Sequence, residues 1–268
     1  MVLSSSALRT VRVEHIMGTA ISVDVRDAGV REAAFERCFD MLRAVDTEFS
    51  TYREDSAVSR LRRGDLEVDD TSADFREVLE LCEEVRRVSD GAFDAWSCSP
   101  GGLDPSGLVK GWSIDRGAQV LETFGLRNFC INAGGDVLAR GVASPGAPWR
   151  VGIRHPGPEK TVVAVVAASG LAVATSGEYE RGAHIRGAGG ARPSGLLSMT
   201  VVGPDLTFAD AYATAAFAMG EAGIDWVNRL TGGYEGFAVT AAGRGISTQG
   251  FERLRLHTAA PAVEGEDG

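Results

Sequence analysis

Lysine is nearly missing from this 268-residue sequence: only Lys110 and Lys160 occur among 27 basic side chains, and the rest are arginine. Acidic residues outnumber basic ones by 37 to 27, a formal net charge of −10. That balance argues against a nucleic-acid partner, because no excess of cations is available to meet a phosphate backbone. Any anionic ligand must be held by a local device. Cysteine is scarce as well. Cys38, Cys82, Cys98 and Cys130 lie far apart with no CxxC pair, which excludes zinc-finger and thioredoxin-type sites. The four histidines, His15, His155, His184 and His257, show no HxxH or HExxH spacing, so a histidine zinc site is excluded too. No GxSxG, GxGxxG or Walker spacing occurs. The opening MVLSSSALRTVRVEH lacks the apolar stretch of a signal peptide, and no apolar run is long enough to span a bilayer. These absences predict a soluble cytoplasmic chain without membrane insertion.

Periodicity supplies the architecture. Residues 11–25, VRVEHIMGTAISVDV, alternate apolar and polar and break at Met17-Gly18, which predicts two strands or one bent hairpin. Ala34, Cys38, Met41, Leu42, Val45 and Phe49 follow helical spacing over 30–49. Phe75, Val78, Leu79, Cys82 and Val85 mark a second helix that stops near Gly91. The stretch between them is polar. A third helix is expected from Ser113 to Phe124, followed by strand, glycine turn and strand in NFCINAGGDVLARG. Extended segments then succeed one another (WRVGIRHP, KTVVAVVAASG, LAVATSGEY, LSMTVVG). After them come an alanine-rich helix over 208–219, a short helix over 224–230 and a final strand pair, GFAVTAAGRGISTQ. Consecutive strands late in the chain favour a largely antiparallel α+β fold with packed helices over a doubly wound parallel one. One domain over 11–258 and a flexible acidic tail over 259–268 are expected.

Four stretches could carry chemistry. The turn Asn132-Ala133-Gly134-Gly135-Asp136 reads either as a tight hairpin or as a place where backbone approaches a ligand, since two successive residues lack a Cβ. Asp210 and Thr214 stand four apart in a helical segment and so share a face. They read either as hard oxygen ligands for Mg²⁺ or as a first-turn cap with a back-bonded threonine. Lys110 sits between glycines in LDPSGLVKGWSIDRG and is either a phosphate contact or a solvated side chain. His184, after the polar run 175–179, is either a general base or an ordinary loop histidine. The loop Gly187 to Gly190 reads as flexible rather than as a phosphate cradle.

Read in order, eight segments resemble the FAD:protein FMN transferase (ApbE) family across about residues 11–250. They are MGT (17–19), FSTYREDSAVSRL (49–61), GAFDAW (91–96), SGLVKGWSIDRG (106–117), NAGGDV (132–137), ATSGEYER (174–181), HI (184–185) and ADAYATAAFAMG (209–220). The resemblance implies a two-lobed α+β fold around a flavin cleft, loosely similar to tunnelling-fold proteins. It implies Mg-dependent transfer of FMN from FAD to a Thr or Ser hydroxyl of a target protein, with release of AMP. Hydrolysis of FAD to FMN and AMP, or flavin carriage without transfer, are the alternatives. By the same carry-over, Asp210 and Thr214 are metal ligands with the carbonyl of Val109, and Met17, Tyr52, Asp94, Asp136, Ser176, His184 and Ile185 line the flavin or adenine site. Lys110 and the backbone amides of Gly134 and Gly135 would neutralise the diphosphate, with His184, Lys110 and Asp210 in catalytic roles. The His184-Ile185 pair is followed here by Arg186-Gly187-Ala188-Gly189-Gly190, where the family usually continues with an Asp-Pro turn after a longer loop.

Overall fold

The computed structural model describes residues 9–96, 102–157, 161–177 and 195–256. Cys98, Lys160, His184, Ile185, the loop Gly187 to Gly190, His257 and the 259–268 tail lie outside the described residues.

Among the described residues, ten strands form two sheets. β1 (Thr10–Ile16), β2 (Thr19–Val25), β3 (Phe129–Ala133), β4 (Asp136–Arg140), β7 (Ala172–Gly177), β8 (Leu196–Gly203), β9 (Glu235–Thr240) and β10 (Gly245–Ser247) make an eight-stranded sheet in that order. β5 (Trp149–Arg154) and β6 (Val162–Ala168) form a separate hairpin. Every described pairing is antiparallel, as the succession of extended segments predicts. The expected break at Met17-Gly18 is a two-residue hairpin turn: Ile16 pairs with Thr19, and both turn residues have positive φ, 55° and 71°. Gly134-Gly135 closes β3 and β4 in the same way, with Ala133 opposite Asp136.

The large sheet is covered on both faces, and strand alternation decides which residue faces which layer. On β7, Ala172 and Ala174 join the helical core, while Val173 joins a second cluster with Ile153, Val166, Val202, Phe237 and Phe251 beneath the β5–β6 hairpin. The helical layer contains α1 (Glu32–Phe49), α2 (Ala57–Arg63), α3 (Ala73–Val88), α4 (Ser106–Thr123), α5 (Leu206–Ala218) and α6 (Ala222–Val227). α5 is buried on almost every side, consistent with its alanine content, and it packs on α4, β7 and β8.

Several boundaries differ from the sequence reading, among them that of α6, expected over 224–230 and found at Ala222–Val227. The polar stretch after α1 contains the short helix α2, started by Ser56, whose hydroxyl accepts from the Ser59 amide at 3.0 Å, and stopped by Gly64 at φ 75°. α4 begins at Ser106 rather than Ser113, so Lys110 is helical. α5 begins at Leu206 with Asp205 as its N-cap, which removes Asp210 from the first turn and from a capping role.

Candidate diphosphate and metal site

The site is built where α4 crosses α5, and glycine makes the crossing possible. A Cβ on Gly111 would lie 2.2 Å from the Leu206 carbonyl oxygen and 3.1 Å from Asp210 Cβ. One turn earlier, a Cβ on Gly107 would lie 3.6 Å from Thr214 Oγ1. At the far end of the contact, the Asp115 carboxylate accepts from the Leu206 amide at 3.0 Å, the Thr207 amide at 2.7 Å and the Thr207 hydroxyl at 2.6 Å. The helices therefore run antiparallel, with 107, 111 and 115 meeting 214, 210 and 206–207 in turn.

That register brings Lys110 beside two carboxylates. Its ammonium pairs with Asp136 Oδ2 and lies 3.5 Å from Asp210 Oδ2. Asp136 is 1% exposed and Asp210 3% exposed, so both charges need compensation inside the protein. Asp136 is aimed by its other oxygen, which accepts from the Thr175 amide of β7 at 2.9 Å. The next residue along that strand, Ser176, places its hydroxyl 3.2 Å from the Thr214 hydroxyl. Lys110, Asp136, Ser176, Asp210 and Thr214, far apart in sequence, thus form one cluster, and Val109 precedes Lys110 on α4. Its donors are carboxylate and hydroxyl oxygens, the set that suits a hard divalent cation.

Other candidates sit at varied distances from this cluster. Met17 Sδ lies 3.8 Å from the Ser113 hydroxyl, which itself donates to the Lys110 carbonyl at 2.8 Å, so the β1–β2 turn abuts the Lys110 turn of α4. Gly134 and Gly135 face outward on the turn before Asp136. Their amides are already engaged, Gly134 with the Ala20 carbonyl at 3.1 Å and Gly135 with Asn132 Oδ1 at 2.9 Å. Gly134 is required for packing, since a Cβ there would meet Thr19 Oγ1 at 2.4 Å. Tyr52 is 93% exposed in the loop after α1. Asp94 lies in the loop after α3 and accepts from the Trp96 amide at 2.8 Å. His184 and Ile185 are outside the described residues.

Two features escaped the sequence reading: the Thr175 amide that aims Asp136, and the Asp115 clamp. A backbone donor has no residue-type signal. Asp115 did have one, because it lies four residues after Gly111 and eight after Gly107 on a helix and so shares their face at a different level. Burial pushes the Asp115 carboxyl up from the usual carboxylate range, against the pull of its hydrogen bonds from Thr207 and Leu206.

The family model described as "ApbE family" matches residues 17–100 and 97–238. The FAD:protein FMN transferase of Haemophilus influenzae is 26% identical over 274 residues, spanning 76% of this chain and 79% of that protein. The protein of the same name from Vibrio cholerae is 32% identical over 130 residues, covering 44% of this chain and 39% of its own length. In three dimensions, the flavin transferase ApbE from Vibrio cholerae superposes with a TM-score of 0.80 at 21% identity, covering 92% of this chain and 99% of that one. The matched span contains every residue of the cluster, and the chain belongs to the ApbE family.

Proposed function

We propose that this protein is a flavin transferase that moves FMN from FAD to a hydroxyl of a target protein and releases AMP. The observation that carries this reading is the buried cluster in which the Lys110 ammonium stands between Asp136 and Asp210, beside the hydroxyls of Ser176 and Thr214. Phosphoryl transfer asks little covalent chemistry of the protein; it needs charge on the diphosphate to be met and the nucleophile held in line. The name of the Haemophilus influenzae relative supports the choice of FAD and of a protein acceptor.

Asp210, Thr214 and the Val109 carbonyl would hold Mg²⁺. When bound, the ion supplies charge neutralisation at the diphosphate oxygens. Lys110 binds a diphosphate oxygen and is itself oriented by Asp136. The Gly134-Gly135 turn serves the diphosphate indirectly, by letting β3 and β4 close tightly so that Asp136 follows it at the cluster, and the two amides stay within the fold. Met17, Tyr52, Asp94, Ser176 and Ile185 are the proposed lining of the flavin and adenine portions. The Thr or Ser hydroxyl oxygen of the target bonds to the FMN phosphorus, the bond from that phosphorus to the AMP oxygen breaks, and the hydroxyl proton passes to His184.

Incubating the protein with FAD, Mg²⁺ and a target carrying a suitable threonine tests this. AMP and covalently bound flavin should appear in equal amounts, and a chelator should stop both. AMP with free FMN in the absence of any target would assign hydrolysis instead. No AMP under any of these conditions overturns the reading.

A further inference from the structure

We infer that Asp115 is a positioning residue of this site, acting across the α4–α5 crossing to set where Asp210 and Thr214 stand relative to Lys110. The inference rests on the flavin transferase reading for its consequence, but its structural part stands on the packing alone.

Asp115 and Lys110 belong to one helix, Leu206, Thr207, Asp210 and Thr214 to another, so the relative rise and rotation of two helices decide the site geometry. Most helix pairs fix that relation by interdigitating large side chains. Here Gly111 offers nothing to interlock, and the backbones approach so closely that a Cβ would strike the Leu206 carbonyl. Contact at these glycines by itself opposes sliding and rotation only weakly. Asp115 supplies the missing stop. Its carboxylate grips the Leu206 and Thr207 backbone amides at the start of α5 and the Thr207 hydroxyl, at 2.6 to 3.2 Å. These donors point along the helix axis, so the grip fixes rise, and the off-axis Thr207 hydroxyl fixes rotation.

Ordinary helix capping does not require this residue. Asp205 already accepts from the Phe208 amide at 2.9 Å and is braced by the Tyr234 hydroxyl at 2.5 Å. α5 therefore carries a local cap from its own sequence and a second carboxylate from α4. The second one joins the helix that holds Asp210 to the helix that holds Lys110, about one helical turn from the ion pair it registers.

The near-absence of lysine gives a direct readout. Lys110 and Lys160 are the only lysines, so amine acetylation followed by peptide mass spectrometry follows Lys110 with a single internal reference. In the native protein Lys110, 13% exposed and ion-paired, should acetylate slowly. D115N keeps the side-chain shape but turns an amide group toward some of the donors. T207V removes only the hydroxyl donor and spares the backbone grip. Both are assayed well below their melting temperatures, and Mn²⁺ binding is titrated on the same samples in the presence of FAD. The expected result is faster Lys110 acetylation by several-fold in D115N, and less in T207V, with Lys160 unchanged. Mn²⁺ dissociation constants should rise in the same order, by about ten-fold in D115N. If both variants melt earlier but keep native Lys110 protection and native Mn²⁺ affinity, Asp115 is only a cap and the inference is overturned. Should D115N fail to fold, T207V alone decides by the same two readouts. A native protein that binds no Mn²⁺ sinks the metal reading of the site, while Lys110 protection still decides the positioning role.

Discussion

At the scale of single residues, the proposed function gives Lys110 two jobs that substitution can separate. Its charge compensates two buried carboxylates, and its ammonium, with three donors on a flexible stem, is small enough to share a diphosphate oxygen. K110M removes both: turnover should fall by about 10²–10³-fold, the usual loss for one donor to developing charge, and Tm should drop because Asp136 and Asp210 lose their counter-charge. K110R keeps the charge, so most of the Tm returns while turnover stays low; an arginine variant as active as native would show that only charge matters. Asp27 illustrates a residue whose contribution is structural and pH-dependent. Partial burial raises its carboxyl, yet hydrogen bonds from the Asn128 and Arg127 amides and the Asn128 side chain outweigh this and hold it below the usual range. A depressed carboxyl stabilises the fold fully above the unfolded value of about 3.9 and loses that effect as pH falls through its folded value. D27A should therefore lower Tm at pH 7 and lose less than native on acidification below pH 4, so that the two melting curves converge.

At the scale of elements, the α4–α5 crossing is where sequence and structure part company. Helix spacing in α1 and α3 was legible because each shows one apolar stripe against a polar face, with Cys38, Leu42 and Val45, or Phe75, Val78 and Val85, buried in sequence-predicted order. The first turns of α4 were not legible. Gly107 and Gly111 weaken intrinsic helicity, and the helix has no single apolar stripe because α1, α3, α5 and the sheet surround it. The glycines look like helix breakers until the second helix is seen against them. The cluster followed the same rule: Asp210 and Thr214 were readable as a pair from their spacing of four, whereas their partners Asp136 and Ser176 come from β4 and β7, and no local pattern joins strand to helix. Tertiary pairing, not propensity, completes the site. The crossing itself makes a sharp prediction. G111A would improve helix propensity by up to about 1 kcal/mol in isolation. In place it must push α5 away from a 2.2 Å contact with backbone that cannot rotate aside, an overpacking cost of about 1–3 kcal/mol. The net effect should be a lower Tm together with loss of Mn²⁺ affinity, read by thermal unfolding and metal titration; a stabilised protein with native affinity would mean that the helices do not meet as described.

At the scale of the whole molecule, the charge balance sets how an anionic substrate arrives. The chain carries a net charge of −10, and within the cluster two carboxylates face one ammonium among the described residues. On the proposed function, a diphosphate approaching this protein meets a repulsive field until a bound cation and Lys110 act at short range. Repulsion between like charges slows encounter, and salt relieves it by shortening the Debye length, which is about 30 Å at 0.01 M and about 10 Å at 0.1 M. The association rate of FAD at saturating Mg²⁺ should therefore rise with NaCl over that range, whereas a site fed by a basic surface would show a fall. Stopped-flow quenching of flavin fluorescence measures the rate directly. The dissociation rate, governed on this reading by contacts at the buried Lys110 cluster, should change much less, because buried pairs are screened far less than exposed charge. A falling association rate would mean that basic side chains outside the cluster, arginines of the surface, guide the substrate, and that Lys110 and the cation are not its first positive contacts.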